Sequence, residues 1–198
     1  MDDVVRQAMA KWPNVPHCFG WLRLDARGHW RMRDERAQQL NLPGDKIRHL
    51  ALLDFINRNY QCDTSGQWYF QNGPQRVYVD LELTPYIARL DPAAGHLLHT
   101  GTALPTPAQI WLTPAGQLLM PFEQSVAALD DRDMASLLPR LQVGDSAASD
   151  QQIMDWLEGD DCIALQLRYS DSVLPVQRTA ATPLAEQFGF IMRPRGSD

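Results

Sequence analysis

"NYQCDTSGQWYFQ", residues 59–71, decides how this chain is read. It runs apolar–x–apolar, then Asp, two residues, Gly, one polar residue, and apolar–x–apolar again. "WLRLDARGHWRMR" (21–33) and "QIWLTPAGQLLMP" (109–121) follow the same plan, with Thr113 in place of the Asp. Asp25, Asp63 and Thr113 can open a type I turn, and Pro114 suits its first central position. Gly28, Gly66 and Gly116 then take the left-handed conformation that only glycine adopts cheaply. The product is a three-residue hairpin loop closed by a G1 bulge. The register follows. Leu24 faces Trp30 and Leu22 faces Met32; Cys62 faces Trp68 and Tyr60 faces Phe70; Leu112 faces Leu118 and Ile110 faces Met120. Each set shares one face of its hairpin.

Working outward, apolar spacing and capping signals predict helices over 2–12, 45–59, 122–140, 149–158 and 182–188. Asp45 stands as an N-cap, Ser149 and Gln152 as a capping box, and Thr182 as a cap before Pro183. Pro13 and Pro16 end the first helix. Further strands are expected at 75–90, 95–101, 162–170 and 172–180. Antiparallel hairpins grouped with helices give an α+β fold. A break at "TALPTPA" (102–108) divides it into two similar sub-domains, 1–104 and 105–198. Trp111 and Leu119 fall on the outward face of the third hairpin. That apolar pair needs a cover, so a structural oligomerisation module, with a homo-oligomer as its product, stands as one reading.

The 198 residues, 44% of them hydrophobic, suffice for one large core or two small ones. No run approaches the roughly 18 apolar residues that cross a bilayer, so no membrane is expected. The opening "MDDVVRQAMAKW" lacks the basic and apolar regions of a signal peptide. A cytoplasmic protein is expected. Cys18, Cys62 and Cys162 stand far apart without a CxxC spacing and read as buried or half-buried thiols. The net charge of −6 is unevenly spread. Residues 1–60 carry 10 Lys and Arg against 7 acids, whereas 121–161 carry 10 acids against 2 Arg. Either the basic part docks on the acidic segment or it holds an anion. An acidic chain of this kind is a poor duplex binder, so nucleic acid is not an expected partner.

No chemistry-bearing motif stands out. His96 and His99 lie three apart in an expected strand, so their rings point to opposite faces and share no metal. Neither a nucleophile elbow nor a phosphate loop is present. No metal, cofactor or catalytic set is assigned. The best candidate surface is the outer face of the first hairpin, where Trp21, Arg23, His29, Arg31 and Arg33 line up. Three Arg beside a Trp can hold a phosphate or carboxylate. A second candidate is the outward face of strand 75–83: Arg76, Tyr78, Asp80 and Glu82. These favour a non-enzymatic cytoplasmic binding or regulatory protein that recognises a protein partner or a small anionic ligand. The alternative is an enzyme with a cleft near 102–108, using Asp80, Glu82 or His99 as acid and base.

"LDARGHW" (24–30), a Leu-rich helix and "DTSGQWYFQNGPQRVYVDLELTPYIA" (63–88) together resemble a domain-of-unknown-function family of proteobacteria, over about residues 20–120. "VVRQAMAKWPNVPHCFGWL" (4–22) is similar to a second, related proteobacterial family of unknown function. The resemblance implies a mixed α+β fold of repeated hairpin–helix motifs and a role in signal transduction, with no catalytic set to carry over.

Overall fold

The computed structural model describes residues 2–12, 15–91, 95–180 and 182–196. The chain begins with α1 (Asp3–Lys11), then β1 (Cys18–Leu24), β2 (Trp30–Met32), α2 (Glu35–Gln39) and β3 (Asp45–Lys46). Next come α3 (Leu50–Arg58), β4 (Tyr60–Cys62), β5 (Trp68–Asn72) and β6 (Gln75–Leu81). These six strands form one sheet in the order β3-β2-β1-β6-β5-β4, with β1 parallel to β6 and every other pair antiparallel. The chain then crosses over. β7 (Tyr86–Asp91), β8 (Gly95–Leu98), β9 (Ile110–Leu112), β10 (Leu118–Phe122) and β11 (Ser125–Leu129) lead to α4 (Met134–Leu137). β12 (Leu141–Val143), β13 (Ser146–Ala147), α5 (Asp150–Glu158), β14 (Leu165–Tyr169), β15 (Ser172–Arg178) and α6 (Leu184–Gln187) complete it. The second sheet has the order β13-β12-β14-β15-β9-β10-β11-β7-β8. Among the described residues, no helix is long and apolar enough to cross a membrane.

The three hairpins have the expected turns. In each, the first turn residue's N–H donates to the carbonyl four residues on, at 2.9–3.0 Å, and the glycine N–H donates back to that first residue. Gly28, Gly66 and Gly116 have φ of 74, 82 and 77°. The preference for Asp or Thr has a cause. Asp25 Oδ1 accepts from the N–H of Arg27 and His29, Asp63 Oδ1 from Ser65 and Gln67, and Thr113 Oγ1 from Gln117, so the side chain closes the loop. The strands pair in the register read from the sequence, Leu24 with Trp30, Cys62 with Trp68 and Leu112 with Leu118.

The same turn tests differently at its three sites. A Cβ at Gly116 meets nothing within 4 Å, so Gly116→Ala should cost only the positive φ, about 1 kcal/mol. At Gly28 a Cβ would sit 2.7 Å from His99 Cβ, and at Gly66 2.5 Å from the Gly189 carbonyl oxygen. Those two substitutions should cost about 2–3 kcal/mol by urea denaturation, because a packing clash adds to the strain. Equal losses at all three sites would show that φ alone sets the cost.

Several elements differ from the expectation. The segment 122–140 is strand over Ser125–Leu129 and helical only in a 3-10 turn at Asp131–Asp133, in α4 and in the 3-10 turn Leu138–Arg140. Val126, Ala127, Ala128 and Leu129 are all buried. A strand covered on both faces reads as a continuous apolar run, and its alanines mimic a helix. The helix expected over 45–59 starts at Leu50. Asp45 lies in β3, and His49 is the cap, its Nδ1 accepting the Leu52 N–H at 3.2 Å. Thr182 is no cap either, since Pro183 immediately precedes α6. The Ser149–Gln152 capping box is present. Pro13 lies outside the described residues.

The strand expected over 75–90 breaks at 82–85, where the chain leaves the first sheet for the second. Thr84 fixes the crossing, because its hydroxyl donates to the Tyr86 carbonyl at 2.7 Å and accepts the Ala128 N–H at 3.0 Å. A division at 104/105 therefore does not separate the sheets: β7 and β8 precede it, yet β7 pairs with β11.

The sheets stack. Leu22, Leu24, Trp30, Trp68, Phe70, Val79 and Leu81 of the first pack against Ile87, Leu119, Val126 and Ala128 of the second. The second sheet's other face, with Ala88, Leu118, Met120, Ala127 and Leu129, packs under Leu137 of α4 and Trp156 of α5. The chain itself thus covers the outward pair of the third hairpin. Leu119 is fully buried, and the Trp111 ring meets Phe188 at 6.0 Å. That pair no longer argues for a second copy.

Candidate functional site

The two candidate surfaces are one surface. The parallel register of β1 and β6 sets Arg23 beside Asp80, and the β1–β2 register sets Arg23 beside Arg31. All lie on the first sheet's face away from the second sheet. The arginines there are already occupied. Arg33 is 3% exposed, pairs with Asp80, and donates to the carbonyls of Leu42 and Ala37. Arg31 Nε bonds Asp25 Oδ2 at 2.7 Å, and Arg23 Nη2 lies 3.5 Å from Glu82 Oε2. Burial pushes the Asp80 carboxyl up, against the pull of Arg33, Arg193 and Arg23. Docking on the acidic segment is confined to the neighbourhood of the hairpin tip, where Arg27 grips Asp131 with two bonds and Arg89 reaches Asp130. Trp21 remains 42% exposed. Tyr78 is buried, its hydroxyl donating to Asp63 and its ring stacked on Phe19 at 4.6 Å. Arg76 lies over the Tyr69 ring.

The free positive charge lies at the end of this face, in a part of the chain that sequence reasoning passed over. The segment after α6 runs back along the first sheet. Ile191 N–H donates to the Gly66 carbonyl, Leu81 N–H to the Met192 carbonyl, and Arg195 N–H to Gln67 Oε1. Phe190 and Pro194 are buried. Thus anchored, Arg193 and Arg195 line a pocket of about 400 Å³ with Phe19, Gly20, Arg33, Gln38, Asn41 and Asp80. Arg193 and Arg195 are exposed and form no ion pair among the described residues. The readable signal was "RPR" at 193–195. In extended chain, residues two apart point the same way, and proline favours that extension.

His29 turns toward the second sheet. Its Nδ1 lies 3.2 Å from Asp25 Oδ2 and its Nε2 3.4 Å from an Arg89 nitrogen, at a pocket of about 280 Å³ that His99 also lines. Burial lowers the His29 pKa, with Asp25 opposing. His99 Nδ1 accepts the Ile87 N–H at 3.3 Å, and burial holds its pKa at about 3. His96 stacks on Tyr169. Among the described residues, no three His, Cys, Asp or Glu side chains gather as metal ligands. The acid/base trio is dispersed: Asp80 and Glu82 pair with arginines on the outer face, while His99 lies between the sheets. Cys62 and Cys162 are exposed rather than buried. Desolvation and then the Asp63 charge still push the Cys62 thiol up to about 11, so it stays protonated.

A family model described as "Protein of unknown function (DUF2946)" matches residues 1–195. Among solved structures, the chain is similar to a DUF1285 family protein from Silicibacter pomeroyi DSS-3, with 13% identity and a TM-score of 0.49 over 94% of this chain and 98% of that one. It is also similar to a DUF1285 family protein from Shewanella baltica OS155, with 15% identity and a TM-score of 0.40 over 59% and 89%. No curated protein matches.

Proposed function

The chain belongs to this family, described as "Protein of unknown function (DUF2946)", and from that premise we propose that it is a non-enzymatic binding protein for a small anion, a carboxylate or phosphate compound. One observation carries the reading. Arg193 and Arg195 converge on a pocket where Asp80, the single carboxylate among the described residues, is already taken by Arg33. The pocket is therefore locally positive on a chain of net charge −6. Guanidinium groups meet such anions through paired, charge-assisted hydrogen bonds, and Asn41 and Gln38 add neutral donors. Arg23, Arg31 and Arg33 become the scaffold that holds the face in place. A regulatory, signalling-type role in the cytoplasm belongs with the same proposal.

Inorganic phosphate, titrated at constant ionic strength, should raise the melting temperature of the wild type. A site occupied at a hundred times its Kd stabilises by about 2.7 kcal/mol. The double variant R193E/R195E should lose the gain, and Arg48→Glu, an exposed change outside the pocket, should keep it. No gain in the wild type, or an equal gain in the double variant, would refute the reading.

A further inference from the structure

A third pocket, of about 330 Å³, opens at the seam between the two sheets and has the opposite chemistry to the arginine pocket. Tyr60 reaches it from β4, Tyr86 from β7 and Phe122 from β10. The Tyr86 ring stands between the other two, 5.7 Å from Tyr60 and 5.3 Å from Phe122, edge-to-face with both. Asn57, Thr100 and Thr102 add neutral polar groups. Among the described residues Glu123 supplies the only charge, since no Lys, Arg or His of theirs lines the pocket. It forms no ion pair among the described residues.

The placement of Glu123 is itself unusual. It is the first residue of the two-residue turn between β10 and β11, with φ of 49°. The equivalent positions between β5 and β6 and between β12 and β13 hold Gly73 and Gly144, with φ of 57 and 59°. Glycine fits that conformation with least strain. Ser170 holds the same position between β14 and β15, so a side chain is tolerated there. What Glu123 adds over glycine is a carboxylate beside three aromatic rings.

We infer that this pocket binds a small organic cation, an alkylated ammonium group, with Tyr60, Tyr86 and Phe122 as its walls and Glu123 as its counter-ion. Aromatic faces carry partial negative charge and attract such cations, most strongly where water is excluded. An anion would be repelled by Glu123, and a neutral group of the same shape would gain neither attraction. Apart from the fold, the site shares nothing with the arginine pocket: no residue lines both.

The probe is tetramethylammonium chloride, titrated against sodium chloride at equal ionic strength, with tert-butanol as the neutral counterpart. Ring resonances of Tyr86 and Phe122 report binding. Saturable shifts are expected with tetramethylammonium and not with tert-butanol. Glu123→Gln should weaken binding about tenfold. Glu123→Gly, which also relieves the turn, should weaken it as much while keeping the fold. A non-saturating response, an equal response to tert-butanol, or unchanged affinity in Glu123→Gln would overturn the inference. The phosphate response of Arg193 and Arg195 is read separately, so either site can fail alone.

Discussion

Asp80→Ala should destabilise the protein by about 3–5 kcal/mol in urea denaturation at neutral pH. Arg33 is the reason. Its guanidinium is almost wholly enclosed by β1, β6 and the loop around α2, and Asp80 is the one carboxylate bonded to it. The remaining partners, the Leu42 and Ala37 carbonyls and, at 3.5 Å, Asn41 Oδ1, accept hydrogen bonds but carry no net charge. Removing Asp80 leaves a nearly buried cation without its counter-charge. The double change R33M/D80L should recover most of the loss, because a buried pair replaced by apolar side chains leaves no unpaired charge. A loss below about 1 kcal/mol for Asp80→Ala would place Arg33 in solvent and make the pair an ordinary surface bridge.

Stability should fall as the pH drops from about 6.5 toward 3, and the fall should begin before the carboxylates titrate near 4. His99 sets this window. Its ring is packed among Trp30, Tyr60 and Tyr86, and burial, then the Arg89 charge, lower its pKa to about 3 against the weaker pull of Asp25. The unfolded chain takes up the proton near 6.5 and the folded one does not, so acid favours unfolding. Between those two values His99 contributes at most about 1.4 kcal/mol per pH unit. His29 and His96, also lowered chiefly by burial, act in the same direction. His99→Phe should flatten the dependence of unfolding free energy on pH between 6.5 and 4, despite losing the acceptor for the Ile87 N–H. An unchanged slope in that variant would assign the acid sensitivity elsewhere.

The hairpins were legible because their turns are local. Asp or Thr closes the loop and glycine takes the positive φ, and both facts lie within five residues. Non-local pairing was not legible. Nothing in β1 announces that it will run parallel to β6, so the two candidate faces read as separate, and the acidic segment 121–161 rather than Asp80 and Glu82 stood as the expected partner of the arginines. Once Arg23 stands beside Asp80, the same residues become a neutralised scaffold. The strand Ser125–Leu129 was hidden for a related reason, since burial on both faces erases the alternation that marks a strand. Glu123 occupies a turn position where glycine is the usual signal, so the β10–β11 hairpin lacked a marker, whereas the strands on either side of Ser170 were expected. Arg193 and Arg195 were legible only as a pair of like charges. Their place beside Arg33 depends on the return of the chain after α6.

The most direct test of the anion pocket is an NMR titration of arginine side-chain Nε–H resonances with inorganic phosphate. The account predicts shifts concentrated on Arg193 and Arg195, with Arg31 and Arg33 unmoved because Asp25 and the Leu42 carbonyl already hold their Nε groups. Shifts spread evenly over exposed arginines such as Arg48, or none at all, would contradict it.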